Sequence, residues 1–337
     1  MNVLSDDLKL IEEKLAPIFP MLSNKRIFIT GGTGFFGKWI LETINYLNFN
    51  NKLNISATVL SRNPESFKNK NFRLCNSVNI SFIEGDVRDF DYKDIRQEFD
   101  YIIHAATDAS ATLNRNNPEL MRSTIMDGIT HIIGFAKNVQ CKKILYTSSG
   151  AAYGPQPLSL DAMAEDFTEN SNFNLNDAYS SAKKESEEIL VNCDEFETVI
   201  ARCFAFSGPY LPLDGTYAYG NFISNKLKNE DIKINSSGES IRTYLYAADL
   251  VIWLFTILIK GTDKAVYNVG SDEKISILDL AKKISNDEIA VSVSGETGIG
   301  ISRYVPDISK AKSELGLDVY TSVDNSILKT VNFYREN

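Results

Sequence analysis

The sequence predicts an α/β fold, a doubly wound parallel sheet with a smaller C-terminal lobe, and three observations carry that reading. Short apolar runs alternate with helical patterns between residues 25 and 200. A glycine-rich turn follows the first run, Arg26–Thr30. A later run, Ile144-Leu-Tyr-Thr-Ser-Ser149, ends in hydroxyls, and strand ends are where an open parallel sheet meets its ligands.

In chain order, Leu4, Leu8, Ile11, Leu15 and Ile18 recur at helical spacing with acids and lysines between them. Residues 1–24 therefore read as an amphipathic helical arm packed on its own domain, with a subunit contact or a membrane contact as weaker alternatives. Arg26–Thr30 reads as a buried strand and Phe35–Tyr46 as a helix, and Asn45–Asn54 as a surface loop. Further strands are predicted at Ile55–Leu60, Ile80–Glu84, Tyr101–His104 and Lys143–Thr147, with helices at Ser123–Asn138 and Ala178–Val191. Residues 25–200 thus form a dinucleotide-binding domain. Residues 201–337, with Phe222–Lys228 and the stretch after Asn235, form mainly a substrate-covering lobe, some of whose segments return to the sheet.

The chemistry begins at Gly31, Gly34 and Gly37, whose spacing suits a turn that approaches a pyrophosphate while the next helix offers it unpaired N–H groups. Tyr179 and Lys183 are four apart, on one helix face. An ammonium beside a phenol lowers a pKa that is otherwise near ~10, which suits the tyrosine to acid–base work near neutral pH. Either motif alone has a bland explanation, a structural glycine turn or a solvated helix face. Together, with the Ser-bearing strand end, they point to hydride chemistry. The second strand is followed by Ser61-Arg62 and not by an acid, so a 2′-phosphate is accommodated and NADP is favoured over NAD; the alternative is a solvated arginine.

Composition excludes other classes. A formal charge of −9 over 337 residues argues against a nonspecific binder of nucleic acid or anionic membrane. Cys75, Cys141, Cys193 and Cys203 lack metal or disulfide spacing and the only histidines are His104 and His131, so no metal site is expected. The start carries no basic segment before an apolar core, and no apolar run reaches ~18 residues, so a cytoplasmic protein is expected.

From about Lys25 to the C-terminus the chain resembles the extended short-chain dehydrogenase/reductase family, its NAD(P)-dependent nucleotide-sugar epimerase and dehydratase group. The ordered markers are Gly31-Gly-Thr-Gly-Phe-Phe-Gly37, Gly85-Asp-Val-Arg-Asp89, His104-Ala-Ala-Thr107, the Ser-Ser strand end, Tyr179-Ser-Ser-Ala-Lys183, Arg202 with Gly208-Pro209, Gly238 to Asp249, Tyr267-Asn-Val-Gly270 and Arg303 to Lys310.

That resemblance implies a Rossmann-type fold and a site. Tyr179 is the implied acid/base, Lys183 its electrostatic partner and ribose anchor, and Ser149 the hydroxyl that polarises the reacting oxygen. Ser149 is preferred to Ser148 because it stands four residues before Tyr153. Cofactor contacts are implied at Gly31, Gly34, Phe35, Phe36 and Gly37, at Ser61, Arg62, Asp86 and Val87, and at Ala105, Ala106, Thr107 and Thr147. Asp86 has a loop cap as its alternative. A nucleotide-diphosphate sugar is the implied substrate, met by Asn221, Arg242 and Arg303, and a homodimer the implied assembly.

Two departures narrow the reaction. The family's 4,6-dehydratases carry an Asp-Glu pair directly after the catalytic Thr, and its decarboxylases a Glu at the second place; here these are Gly150 and Ala151. Ala205 replaces an asparagine usual for sugar contact. Chemistry at one carbinol carbon is favoured, as a 4-epimerase or 4-keto reductase. The alternatives are a dehydratase or decarboxylase with displaced acids, Glu165 and Asp166 in the loop Leu158–Asn174 being first in line, and a non-catalytic dinucleotide-binding regulatory protein. A solvated acidic loop is the plainer reading of those two residues.

Overall fold

Runs such as Ile27-Phe28-Ile29 are apolar at every position because a parallel strand needs cover on both faces, and all three side chains are fully buried. The structure, a computed structural model, describes residues 4–107, 111–168, 174, 176–213, 215 and 217–336. Its main sheet holds β1 (Arg26–Thr30), β2 (Ser56–Ser61), β3 (Ile80–Glu84), β4 (Tyr101–His104), β5 (Lys143–Ser149) and β6 (Glu197–Cys203). Val266–Val269 adds a seventh strand beside β6. All pairings are parallel, and the order runs β3-β2-β1-β4-β5-β6 and then Val266–Val269. Strand order reverses between β1 and β4, which opens the crevice where doubly wound sheets bind ligands.

The expected loop Asn45–Asn54 is mostly helix, since the helix that follows the glycine turn runs Phe35–Asn51. Its asparagines are tethers and not loop formers. Asn45 Nδ2 donates to Leu74 O at 2.9 Å, Asn48 exchanges two hydrogen bonds with Ile55 at 2.8 Å, and Asn51 Nδ2 donates to Glu12 at 2.6 Å. Leu47, between them, is fully buried. The helix expected from Ser123 begins earlier, at Pro118, where Asn117 caps it by accepting from Leu120 N at 3.1 Å.

The arm helix Ser5–Leu15 buries Leu8, Ile11 and Leu15 and packs against Ala247–Lys260 and Phe35–Asn51. Ala247–Lys260 is apolar all round because it lies between the arm and the sheet. Asp7 ties the arm to the far end of the chain: it accepts from the Tyr246 hydroxyl at 2.7 Å and pairs with Lys329.

The later half adds a second core of Tyr219, Ile223, Leu280, Ile284 and Val331, among others. Above it Ile241–Arg242 lies antiparallel to Ile275–Ser276 and parallel to Arg303–Tyr304. Among the described residues no helix is long and apolar enough to cross a membrane.

Candidate active site

The glycine turn fits a dinucleotide. Gly31 has φ +70°, and a Cβ there would stand 2.4 Å from Ala105 O, so the turn after β1 lies against the end of β4. Gly34 caps the following helix without any side-chain bond, and a Cβ there would meet only Gly31 O, at 3.4 Å. The helix therefore presents backbone N–H groups unshielded by a capping side chain, the arrangement that receives a pyrophosphate. Thr30, which the sequence reading passed over, holds the turn together: its Oγ1 accepts from Ala105 N at 3.1 Å and Ala106 N at 3.0 Å and pairs with His104 Nδ1 at 2.7 Å. Phe35 and Phe36 pack on Phe206, the second edge-on with ring centres 5.0 Å apart.

At the end of β2 the Ser61 hydroxyl turns inward and accepts from Asn63 N at 3.2 Å, while Arg62 is exposed. Asp86 occupies the loop-cap place. Its carboxylate accepts from Arg88 N at 3.0 Å and from the Arg88 guanidinium at 2.8 and 3.0 Å, and that arginine holds its pKa below the usual carboxylate value. The Val87 side chain is buried in the core that contains Phe28 and Phe90.

Helix Ala178–Val191 starts at Asp177, whose Oδ1 accepts from Ser180 N at 2.8 Å. One turn in, Lys183 is buried, and its Nζ donates to Thr107 Oγ1 at 3.0 Å and Thr147 O at 2.8 Å. Its Nζ lies 4.7 Å from the Tyr146 ring centre and 5.9 Å from that of Tyr179. The expected lowering of the Tyr179 pKa is not what this geometry yields. Burial pushes the phenol above its ordinary value, with the Ser149 hydroxyl opposing, and burial pushes Lys183 down to about 8. Both groups lose solvation together, and burial is the leading cause of each shift.

Successive side chains on β5 point to opposite faces, and this separates the two serines. Ser148 donates to Glu187, which is itself clamped by Arg202. Ser149 faces the tyrosines: its Oγ accepts from Ala151 N at 3.1 Å and lies 3.3 Å from Tyr304 Oη.

The substrate residues are less tightly gathered. Arg242 is partly buried, and its guanidinium donates to Ile241 O at 2.8 Å, Ser302 O at 3.1 Å and Ser302 Oγ at 2.8 Å; burial lowers its pKa. Arg303 is paired with Asp161 at 3.3 Å. Asn221, bonded to Gly215 O at 3.4 Å, lines a cleft of about 670 Å³ with Phe222 and Lys228, and that cleft includes none of Ser149, Tyr179, Lys183, Arg242 or Arg303. Glu165 is not a solvated loop acid. It is partly buried, accepts from Asn268 N at 2.8 Å, and burial raises its pKa, whereas Asp166 is exposed. Residues 169–173 and 175 of that loop lie outside the described residues.

A glycine turn at the switch point, a Tyr-x-x-x-Lys helix and a serine at the end of β5 stand in one chain of the NAD-dependent extended short-chain dehydrogenase/reductase group. The chain belongs to the NAD dependent epimerase/dehydratase family, whose model matches residues 27–270. It is 28% identical to UDP-glucuronic acid decarboxylase 3 of Arabidopsis thaliana, over 87% of this chain and 84% of that one. It is 27% identical to the dTDP-D-glucose 4,6-dehydratase of Mus musculus, over 97% and 92%. Its fold is similar to that of the UDP-glucose 4-epimerase of Thermotoga maritima solved with UDP-glucose, with a TM-score of 0.77, 22% identity, and 92% of this chain and 99% of that chain covered.

Proposed function

We propose that the protein transfers hydride at a single carbinol or ketone carbon of a nucleotide-diphosphate sugar, as a 4-epimerase or a 4-keto reductase. The observation that carries this reading is the turn Gly150-Ala151 after Ser149. Neither residue moves a proton, and a Cβ at Gly150 would stand 2.8 Å from both Phe204 Cζ and Tyr304 Oη. The first of the two places where the family resemblance puts carboxylates in dehydratases is thus occupied by the Phe204 and Tyr304 side chains, and the second carries only the methyl of Ala151.

Bound along the glycine turn, NAD(P) supplies a nicotinamide C4 that accepts or donates hydride. Gly31, Gly34 and Gly37 would hold its pyrophosphate, and Lys183, with two N–H groups committed to Thr107 and Thr147, would give its third to the ribose. Tyr179 exchanges one proton with the sugar oxygen as the carbon gains or loses hydride, so that alcohol and ketone interconvert in balance. Burial favours the protonated phenol, the form that gives a proton to a ketone oxygen, while the Ser149 hydroxyl favours the phenolate, the form that takes one from an alcohol. Ser149 donates to the same oxygen. Arg242 and Arg303 would meet the diphosphate. The assembly proposed is a homodimer, on the family resemblance alone.

The names of the relatives favour a second reading, 4,6-dehydration or decarboxylation, with Glu165 as the displaced acid. Incubating the purified protein in deuterated water with UDP-, dTDP-, CDP- and GDP-hexoses and UDP-hexuronate, and with 4-keto-hexose nucleotides plus NAD(P)H, separates the two. Inverted or reduced C4 with no deuterium at C5 is expected. A 4-keto-6-deoxy product labelled at C5, or a pentose with released carbon dioxide, refutes the proposal in favour of the second reading.

A further inference from the structure

Tyr304 enters the site from the C-terminal lobe. Its strand, Arg303–Tyr304, lies beside Ile241–Arg242, with Tyr304 in register with Arg242. The residues after it are tied to the first lobe: Val305 N donates to Gln156 Oε1 at 2.8 Å, Met163 N to Val305 O at 2.9 Å, and Asp307 N to Met163 O at 2.8 Å. Its ring packs on Phe204 with centres 4.6 Å apart. Its hydroxyl lies 3.3 Å from Ser149 Oγ and 3.3 Å from Cys203 O. Gly150 makes that placement possible, since any side chain there would displace the phenol.

We propose that Tyr304 is a positioning residue of the reaction, its hydroxyl donating to Ser149 Oγ so that the serine's own proton is committed to the reacting sugar oxygen. A serine hydroxyl has two acceptor sites and one proton. Ala151 N–H takes one acceptor site of Ser149, and the other lies 3.3 Å from Tyr304 Oη, open to the phenol's proton when it turns from Cys203 O. The remaining proton then points towards Tyr179 and the sugar. Tyr304 has a single proton and two acceptors at equal distance, Ser149 Oγ and Cys203 O. Arrival of a sugar oxygen at Ser149 decides between them, because a serine that donates to the sugar can no longer donate to the tyrosine. Burial keeps the Tyr304 phenol protonated through the neutral range, as a donor must be.

The inference rests on the proposed hydride transfer at a sugar carbon, and the test keeps the two apart. Tyr304→Phe in the full-length, cofactor-loaded protein preserves the ring against Phe204 and removes only the hydroxyl. With the sugar that the parent converts, kcat is expected to fall about tenfold, with KM and bound cofactor unchanged within about twofold. In a Ser149→Ala background the same change is expected to cost less than about twofold, since no serine is left to orient. Parental kcat in Tyr304→Phe, a loss confined to KM, or an equal loss in both backgrounds overturns the inference alone. A parent that converts none of the sugars overturns the functional reading and this inference with it.

Discussion

Glu187→Gln isolates the buried ion pair behind the catalytic strand. Glu187 follows Lys183 by one helical turn, and its carboxylate accepts from the Ser148 hydroxyl and from Arg202 Nε, at 3.1 Å to each oxygen, with Arg202 Nη2 at 2.6 Å. Arg202 is nearly buried and lies 4.3 Å from the Tyr153 ring centre. Burial alone would lower its pKa; Glu187 reverses that and drives it well above the ordinary value. Glutamine keeps the shape and removes the charge, stranding the guanidinium. Removing one partner of a buried pair costs ~3–5 kcal/mol. With an unfolding entropy of ~2.1 cal/mol/K per residue over 337 residues, about 0.7 kcal/mol/K in all, the melting temperature is expected to fall by roughly 4–7 °C. Calorimetry at neutral pH measures it. Glu187→Leu combined with Arg202→Met removes both charges and is expected to melt above the single variant. A single variant within about 1 °C of the parent, or a double variant that melts below the single, refutes the reasoning.

Two further outcomes follow from the same geometry. Because burial lowers Lys183 to about 8, its ammonium is present below that pH and is lost above it, so turnover is expected to fall as pH rises through about 8; a profile flat to well above that value excludes a role for the charge. Arg62→Ala is expected to weaken NADP by roughly 10- to 150-fold, the loss of a charge-assisted pair of ~1.5–3 kcal/mol, while leaving NAD nearly unchanged, and equal weakening in a binding titration excludes the 2′-phosphate contact.

The parts of this fold legible in the sequence are those with short-range causes. The apolar runs Ile27-Phe28-Ile29, Ile102-Ile103 and Ile144-Leu145 in β1, β4 and β5 read as strands because they are buried on both faces, and the glycine turn reads because a glycine at 31 meets its φ and its clearance from Ala105. The asparagine-rich stretch misled because Asn45, Asn48 and Asn51 bond to Leu74, Ile55 and Glu12, partners set by tertiary packing. Strand alternation puts Ser148 and Ser149 on opposite faces of β5 but does not say which face meets the tyrosines; tertiary packing places Ser149 there and Ser148 against Glu187. Tyr304 lies inside the marker Arg303 to Lys310, but nothing local tied it to the serine. It lies 155 residues from the serine it touches, and only the pairing of Arg303–Tyr304 with Ile241–Arg242 brings it there.

The end of β5 shows how this scaffold narrows its chemistry. In the proposed reaction Tyr179, Lys183 and Ser149 come from one lobe and would serve any hydride transfer between a carbinol and a ketone carbon, so they leave the choice open between epimerisation, reduction, dehydration and decarboxylation. What distinguishes these is a second proton-transfer group near C5 or C6, and it has to reach the substrate from the turn after Ser149 or from the opposite lobe. Here the turn is Gly150-Ala151, closed by Phe204 and Tyr304, and the opposite lobe delivers a phenol whose hydroxyl is already engaged by Ser149 and Cys203. Glu165 is the nearby carboxyl with a burial-raised pKa, yet its Oε1 is held by Asn268 N, and Asn268 is itself anchored to Tyr153, Met163 and Asp307. An elimination that needed Glu165 to move off Asn268 would leave that backbone N–H without its acceptor, a cost of ~1–3 kcal/mol that a reaction confined to C4 never meets.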